Sequence, residues 1–326
     1  MKKLLLLFSL ALLFMACEKE PKNIKLSGPV FGTSFSVQYH SPKDVNYKKQ
    51  FDSLFNVINM SMSTYIPESK ISRINKGEVL EVDAHFKRVF TQAKKIYRQT
   101  EGALDPTIGA VVNAWDFGPE GKIAHIDSAA IKGLMKYVGF NRMGLKADKV
   151  IKNEGSFIDF NAIAKGYSVD VIAEFLEQQN VTNYLVEIGG ELRAKGINLE
   201  KQTAWKVGID DPNFEGEQSY SKVIELTDQA MATSGTYRKF KVDENGNRYA
   251  HIIDTKTGYP SKTHILSVSV LAEDCMTADG YATAFQAMGI EKVRAFAEKH
   301  PEVKVFIIFE NEAKEFETLA LNNFPE

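Results

Sequence analysis

The chain has 326 residues, 44% of them hydrophobic, and a formal net charge of −2 at pH 7. That length buries one large core or two modest ones. A near-neutral balance with no long basic run argues against nucleic acid as a partner, and only two cysteines, Cys17 and Cys275, exclude a disulfide-built scaffold.

The first residues, MKKLLLLFSLALLFMAC, place two lysines before an apolar run and small Ala16 before Cys17. This reads as a secretory signal over residues 1–16, and a cysteine at the expected cut resembles a bacterial lipoprotein box. Phe14 is unusual three places before such a cysteine, so an ordinary signal with an incidental Cys17 stays open. On the lipoprotein reading Cys17 carries the lipid and residues 17–24 form a polar tether. Residues 25–326 are then one folded unit held at a membrane of the bacterial cell envelope, facing the periplasm. With Cys17 acylated no internal disulfide forms, so the fold must stand on its core. Cys275 reads as a packed small hydrophobe rather than a nucleophile.

In chain order, Phe31, Thr33, Phe35, Val37 and Tyr39 alternate as in a strand. Residues 47–58 predict a helix, and 60–75 (MSMSTYIPESKISRIN) an irregular polar segment. Residues 85–99 predict the clearest helix, with Phe86, Val89, Phe90, Ala93, Ile96 and Tyr97 on one face. GALDPTIGAVVNAWDFGP, residues 102–119, reads as a loop packed through Trp115 and Phe117. A short helix near 127–137 and strands near Val150 and Phe157 lead to a strand-to-helix turn at Asn161 to Gly166, where backbone can approach a ligand closely. The chain then turns strand-rich: 184–188, a Gly189-Gly190 bend, 191–196, 205–209, 223–226, and a hairpin of 239–242 with 248–253.

The tail is read from 251 to 283. Ile252 and Ile253 end a strand before the Gly258-Tyr259-Pro260 turn, and 265–271 forms a buried strand. Thr277 stands as the N-cap of a helix that stops at Gly289. Asp279 and Thr283, four apart, share a face and offer hard oxygens to a Mg²⁺-sized cation, while the helix start adds N–H groups that favour phosphate. A helix at 291–299, an apolar strand VKVFIIF and a closing strand near Phe316 complete an α+β chain with a mainly antiparallel sheet, packed helices and a single compact domain.

Several of these pieces resemble the FAD:protein FMN transferase family: MSTY at 62–65, ALDPTIGAVVNAWDFG at 103–118, DFNAIAKGYSVD at 159–170, VEIGGELRAKG at 186–196, ATSGTYRKF at 232–240, HIIDTKTG at 251–258 and DGYATAFQAMG at 279–289. The resemblance implies a substrate, FAD, a divalent cation, usually Mg²⁺, and transfer of FMN to a threonine of an acceptor protein with release of AMP. Carried over position by position, Asp279, Thr283 and the Ala162 carbonyl would hold the cation. Phe31, Tyr65, Ala103, Leu104, Asp105, Asp159, Lys165 and Ile253 would meet FAD. Phe31 departs from a frequent Met, Thr255 from a Pro and Thr236 from an Asp. Ala282 replaces a second Asp found in some members, which would leave the cation one ligand fewer.

His251, next to the cleft strand, is the candidate for moving a proton or holding a phosphate oxygen, and Asp279 is the other catalytic candidate. A surface-strand histidine and a solvated Lys165 are the plainer alternatives. Hydrolysis of FAD to FMN and AMP, and a flavin-binding lipoprotein without chemistry, stand as competing functions.

Overall fold

The structure, a computed structural model, describes residues 21–121, 126–212, 219–236, 240–242 and 248–325. The signal expected at 1–16 and the lipid site Cys17 lie outside the described residues. Among the described residues no helix is long and apolar enough to cross a membrane.

The chain opens with a hairpin of β1 (Lys22–Val30) and β2 (Thr33–Ser41). Phe31, expected inside the strand, lies instead in the two-residue turn with φ +49°, followed by Gly32 at +75°. Both left-handed conformations match the right-handed twist of the flanking strands. Because β1 starts at Lys22, the last residues of the segment read as tether already belong to the sheet. Next come α1 (Lys48–Met62), α2 (Lys70–Asn75), α3 (Ala84–Gln99), α4 (Gly109–Ala114) and α5 (Ser128–Met135). The segment expected to be irregular therefore holds the end of α1 and all of α2.

The small hairpin β3 (Gly144–Lys146) and β4 (Lys149–Ile151) precedes α6 (Ala164–Gln178). Around Phe157 the expected strand reduces to one parallel bridge with Ile108. Then follow β5 (Tyr184–Ile188), β6 (Glu191–Lys195), β7 (Trp205–Asp210), β8 (Tyr220–Leu226), β9 (Gln229–Gly235), β10 (Phe240–Val242), β11 (Arg248–Ala250) and β12 (Ile265–Ala272). The tail is α7 (Cys275–Met288), α8 (Ile290–Lys299), β13 (Lys304–Glu310) and β14 (Phe316–Leu321). One eight-stranded sheet runs β1-β2-β5-β6-β9-β12-β13-β14, every neighbouring pair antiparallel. The fold is α+β around one main sheet.

Side-chain alternation sorts the sheet's two faces. Ala230, Ala232, Val268, Val270, Val305 and Ile307 face the helices, whereas Met231, Leu271, Phe306 and Ile308 face the β7–β8 hairpin through Trp205, Val207, Ile209 and Ile224. Each fully buried aliphatic side chain contributes about 2 kcal/mol. That outweighs weak propensity in β9, whose small residues leave room for α7 to cross it. Charge sets the register of α6 on β6: Glu191, Arg193 and Lys195 share one strand face and pair in order with Lys165, Asp170 and Glu177 along the helix.

Candidate functional site

The site forms where α6 and α7 begin side by side. The residue before α6, Ile163, supplies no capping side chain, so an early backbone donor needs a partner from elsewhere. Asp279 provides it: its Oδ2 accepts the Gly166 N–H at 2.9 Å. Gly166 is required because a Cβ there would stand 2.3 Å from the Cys275 carbonyl oxygen and 2.7 Å from the Asp279 Cβ. One turn further along α7, the Thr283 hydroxyl donates to the Ala162 carbonyl at 3.4 Å. The three oxygen donors assigned to the cation thus come from the turn before α6 and from two successive turns on one face of α7.

The donor set fits a hard dication. Asp279 is 5% exposed, and its only hydrogen bond among the described residues is the one from Gly166, leaving the second carboxylate oxygen for a ligand. Carboxylate, hydroxyl and carbonyl oxygens suit Mg²⁺, which keeps waters and substrate oxygens in its remaining positions. Among the described residues no group of three His, Cys, Asp or Glu side chains forms a metal site; the set expected here holds a single carboxylate. Burial pushes the Asp279 carboxyl up, against the pull of the neighbouring Lys165 charge.

The start of α7 corrects one expectation. The N-cap is Asp274, not Thr277: Asp274 Oδ1 accepts from the Thr277 N–H at 2.8 Å. Asp170, fully buried, accepts from the Cys275 and Met276 N–H groups at 3.0 and 2.8 Å. The N–H groups expected to favour phosphate are therefore already taken by two carboxylates. Cys275 is the first residue of the helix, buried, with burial pushing its thiol well up, in keeping with a packing role.

Lys165 ion-pairs with Glu191, a residue the sequence reading did not single out. Burial alone would lower the lysine, but the Glu191 and Asp279 carboxylates win and raise it. Burial pushes the Glu191 carboxyl up, and the Lys165 charge partly offsets it.

Two further segments wall the region. In 102–109, the Asp105 carboxylate is consumed by its own loop: Oδ1 accepts from the Thr107 N–H at 2.8 Å and from its hydroxyl, and Oδ2 from the Phe140 N–H at 3.1 Å. A ligand here would meet backbone rather than this side chain. Leu104 is buried and packs on the bare backbone of Gly280, where a Cβ would lie 3.5 Å from it. Ala103 borders a cavity of about 180 Å³ with Asp254, Thr255 and Met288. The Asp159 N–H donates to the Pro106 carbonyl at 2.8 Å. Its carboxyl, bonded to the Asn161 N–H and side-chain amide, is pushed up to about 6 by burial.

Asn75 ties α2 to this wall by exchanging two 2.8 Å hydrogen bonds with the Ile158 backbone. Tyr65 is 59% exposed on the preceding loop, its phenol pushed up by partial burial and by the Asp159 charge. Phe31, half-buried, meets the Phe55 ring edge-on at 5.6 Å.

The second wall is 251–260. The Thr255 hydroxyl donates to the Gly102 carbonyl at 2.6 Å, and Trp115 Nε1 to the Gly258 carbonyl at 2.9 Å. Ile253 is buried against Val111 and Ile131, so its side chain is core and only its backbone, bridged to Pro260, lies open to a ligand role. His251 meets the Phe117 ring edge at 6.2 Å. The structure brings Ala162, Lys165, Asp279 and Thr283 into one cluster, sets the 102–109 and 157–161 segments against it, and holds His251 on the loop stitched to them.

Comparison with known proteins gives this arrangement its class. A protein from Haemophilus influenzae described as FAD:protein FMN transferase is 38% identical, covering 94% of this chain and 93% of its own. One of the same description from Vibrio cholerae is 36% identical over 94% of each. The solved flavin transferase ApbE from Vibrio cholerae superposes with a TM-score of 0.83 at 34% identity, covering 92% of this chain and 97% of its own. The Pseudomonas stutzeri flavinyl transferase ApbE gives 0.82 at 28%, covering 93% and 95%. The fold is that of an enzyme of the flavin-transferase class. The model of the ApbE family matches residues 31–307, and the chain belongs to that family.

Proposed function

We propose that this enzyme moves the FMN half of FAD onto a threonine hydroxyl of an exported acceptor protein in a Mg²⁺-dependent reaction that releases AMP. The observation that carries the reading is the meeting of the Asp279 carboxylate and Thr283 hydroxyl of α7 with the Ala162 carbonyl just before α6. When bound there, Mg²⁺ would neutralise charge building on the diphosphate oxygens. Lys165 would meet the same diphosphate, and the backbone of 103–105 and Ile253, with Phe31, Tyr65 and Asp159, would border the flavin and ribityl parts.

In the transfer, the threonine oxygen forms a bond to the FMN-side phosphorus and the bond from that phosphorus to the AMP oxygen breaks. AMP leaves with the electron pair. His251 accepts the threonine proton, a task suited to an imidazole near neutral pH. We also place the chain at the membrane of the cell envelope through a lipid on Cys17, facing the periplasm where exported acceptors pass.

Incubating the purified chain with FAD, Mg²⁺ and a threonine-bearing acceptor tests the whole reading. A fluorescent flavin–protein band that EDTA abolishes is expected. FMN and AMP without a labelled band would make the enzyme a hydrolase, and turnover indifferent to EDTA would remove the cation from the reaction.

A further inference from the structure

Glu191 has entered so far only as one of the ion pairs between β6 and α6, yet its placement is elaborate. Gly189 and Gly190, both at positive φ (+62° and +102°), turn the chain between β5 and β6 so tightly that Glu191 opens β6 opposite Ile188. The Gly190 N–H is held by Glu187 Oε1 at 2.7 Å. The turn delivers the Glu191 side chain to the start of α6, where one oxygen pairs with Lys165 while the other, Oε2, is buried without a hydrogen-bond partner. The Glu191 side chain is 4% exposed and the Lys165 side chain 33%, so the acid lies deeper than the lysine.

A buried ion pair is a poor device for stability, because desolvation offsets the attraction and an apolar pair serves as well. Leaving one carboxylate oxygen unpaired raises the cost further. Such an arrangement makes sense where the lysine has to be held in one place. Lysine otherwise has great rotamer freedom, and ordering it in advance removes that cost from ligand binding. Lys165 is also the one cation among the charges described around it: Glu191 on β6, Glu187 on β5 and Asp279 on α7. A diphosphate brought here meets mainly carboxylates unless that ammonium is correctly aimed.

We propose that Glu191 is a positioning residue that clamps the Lys165 ammonium beside Asp279 so that it meets the FAD diphosphate. The inference rests on FAD binding at this site, as argued above. It predicts a sign opposite to simple electrostatics: deleting a nearby negative charge should tighten an anion, whereas losing the clamp should loosen it.

The test uses the full chain and four variants, Glu191→Gln, Glu191→Asp, Lys165→Met and the Lys165→Met/Glu191→Gln double variant. FAD binding is followed by flavin fluorescence in EDTA, and KM and kcat by AMP release with Mg²⁺. Glu191→Gln is expected to weaken metal-free FAD binding and raise KM about tenfold, the size of a charge-assisted contact losing its orientation, with kcat changed less. Glu191→Asp recovers most of the loss, and the double variant binds no more weakly than Lys165→Met alone, since Glu191 acts only through the lysine.

Unchanged or tighter FAD binding in Glu191→Gln overturns the proposal, as do losses that add in the double variant. Loss of the folded state in both Glu191→Gln and Glu191→Asp assigns the residue to folding and overturns it too. Wild-type protein that neither binds FAD nor releases AMP sinks the functional reading itself, an outcome separate from a wild type that works and a Glu191→Gln that works equally well.

Discussion

Two buried charge clusters sit a few residues apart along α6 and differ in completeness. At Asp170 every demand is met: two backbone N–H groups of α7 and the Arg193 guanidinium, Nη1 at 2.9 Å, share its oxygens. At Asp279, Lys165 and Glu191 the accounts stay open. Asp279 takes one hydrogen bond and Glu191 keeps an oxygen unpaired. Native proteins satisfy buried polar groups almost without exception, so an open cluster next to a closed one marks where something else is meant to bind.

The comparison breaks most sharply at Asp279. Asp279→Ala is expected to lower Mg²⁺-dependent FAD turnover by about 10³-fold, the scale of removing a central electrostatic group, while stability falls by only about 1 kcal/mol, the loss of a partner for the Gly166 N–H. A collapse of the fold instead would make the open cluster structural. Asp170→Ala should do the reverse, destabilising the chain by about 3 kcal/mol because it leaves the Arg193 charge and two N–H groups without their partner. Urea unfolding measures this, and a variant of undiminished stability would erase the distinction.

Acidity sharpens it next. Burial, then the like charge of Asp274, pushes the Asp170 carboxyl up from 3.8 to about 6, although its N–H partners and Arg193 pull it down. The folded state therefore holds this proton more tightly than the unfolded chain. The resulting stabilisation is full below about 3.8 and is lost as pH rises through about 6. Urea midpoints of the wild type should fall across that window relative to Asp170→Asn, and parallel curves would refute the assignment. The smallest effect is at the hydroxyl: Thr283→Val should weaken Mg²⁺ binding about tenfold and Thr283→Ser hardly at all, as expected for one oxygen among several ligands. Equal behaviour of the two variants, read by metal titration of turnover, would take Thr283 out of the set.

Much of this was legible in the sequence where one local signal suffices. The alternation in 184–188 gave β5 its bounds, and the apolar stripe of 85–99 marked α3 to within a residue. The spacing of Asp279 and Thr283 put them on one helix face, and only the family resemblance, carried over position by position, set the Ala162 carbonyl beside them. Other features depend on packing. β9, rich in small residues, has little strand propensity and becomes a central strand because β6 and β12 flank it and α7 lies over it. β1 is polar because it is an edge strand with one wet face. The start of α7 was placed at Thr277 because Asp274 and Thr277 are both good caps, and they bond each other. The pairing of Glu191 with Lys165 requires the register of β6 against α6, which no spacing within either segment reveals.

The absent side chain of Gly166 carries a consequence for what this seam tolerates. Because its backbone lies against the Cys275 carbonyl and the Asp279 Cβ, α6 and α7 meet at this seam with no room for a side chain. A single added methyl at the seam would push the start of α6 away from α7 and separate Ala162 from Asp279 and Thr283, leaving each of those residues unchanged in identity.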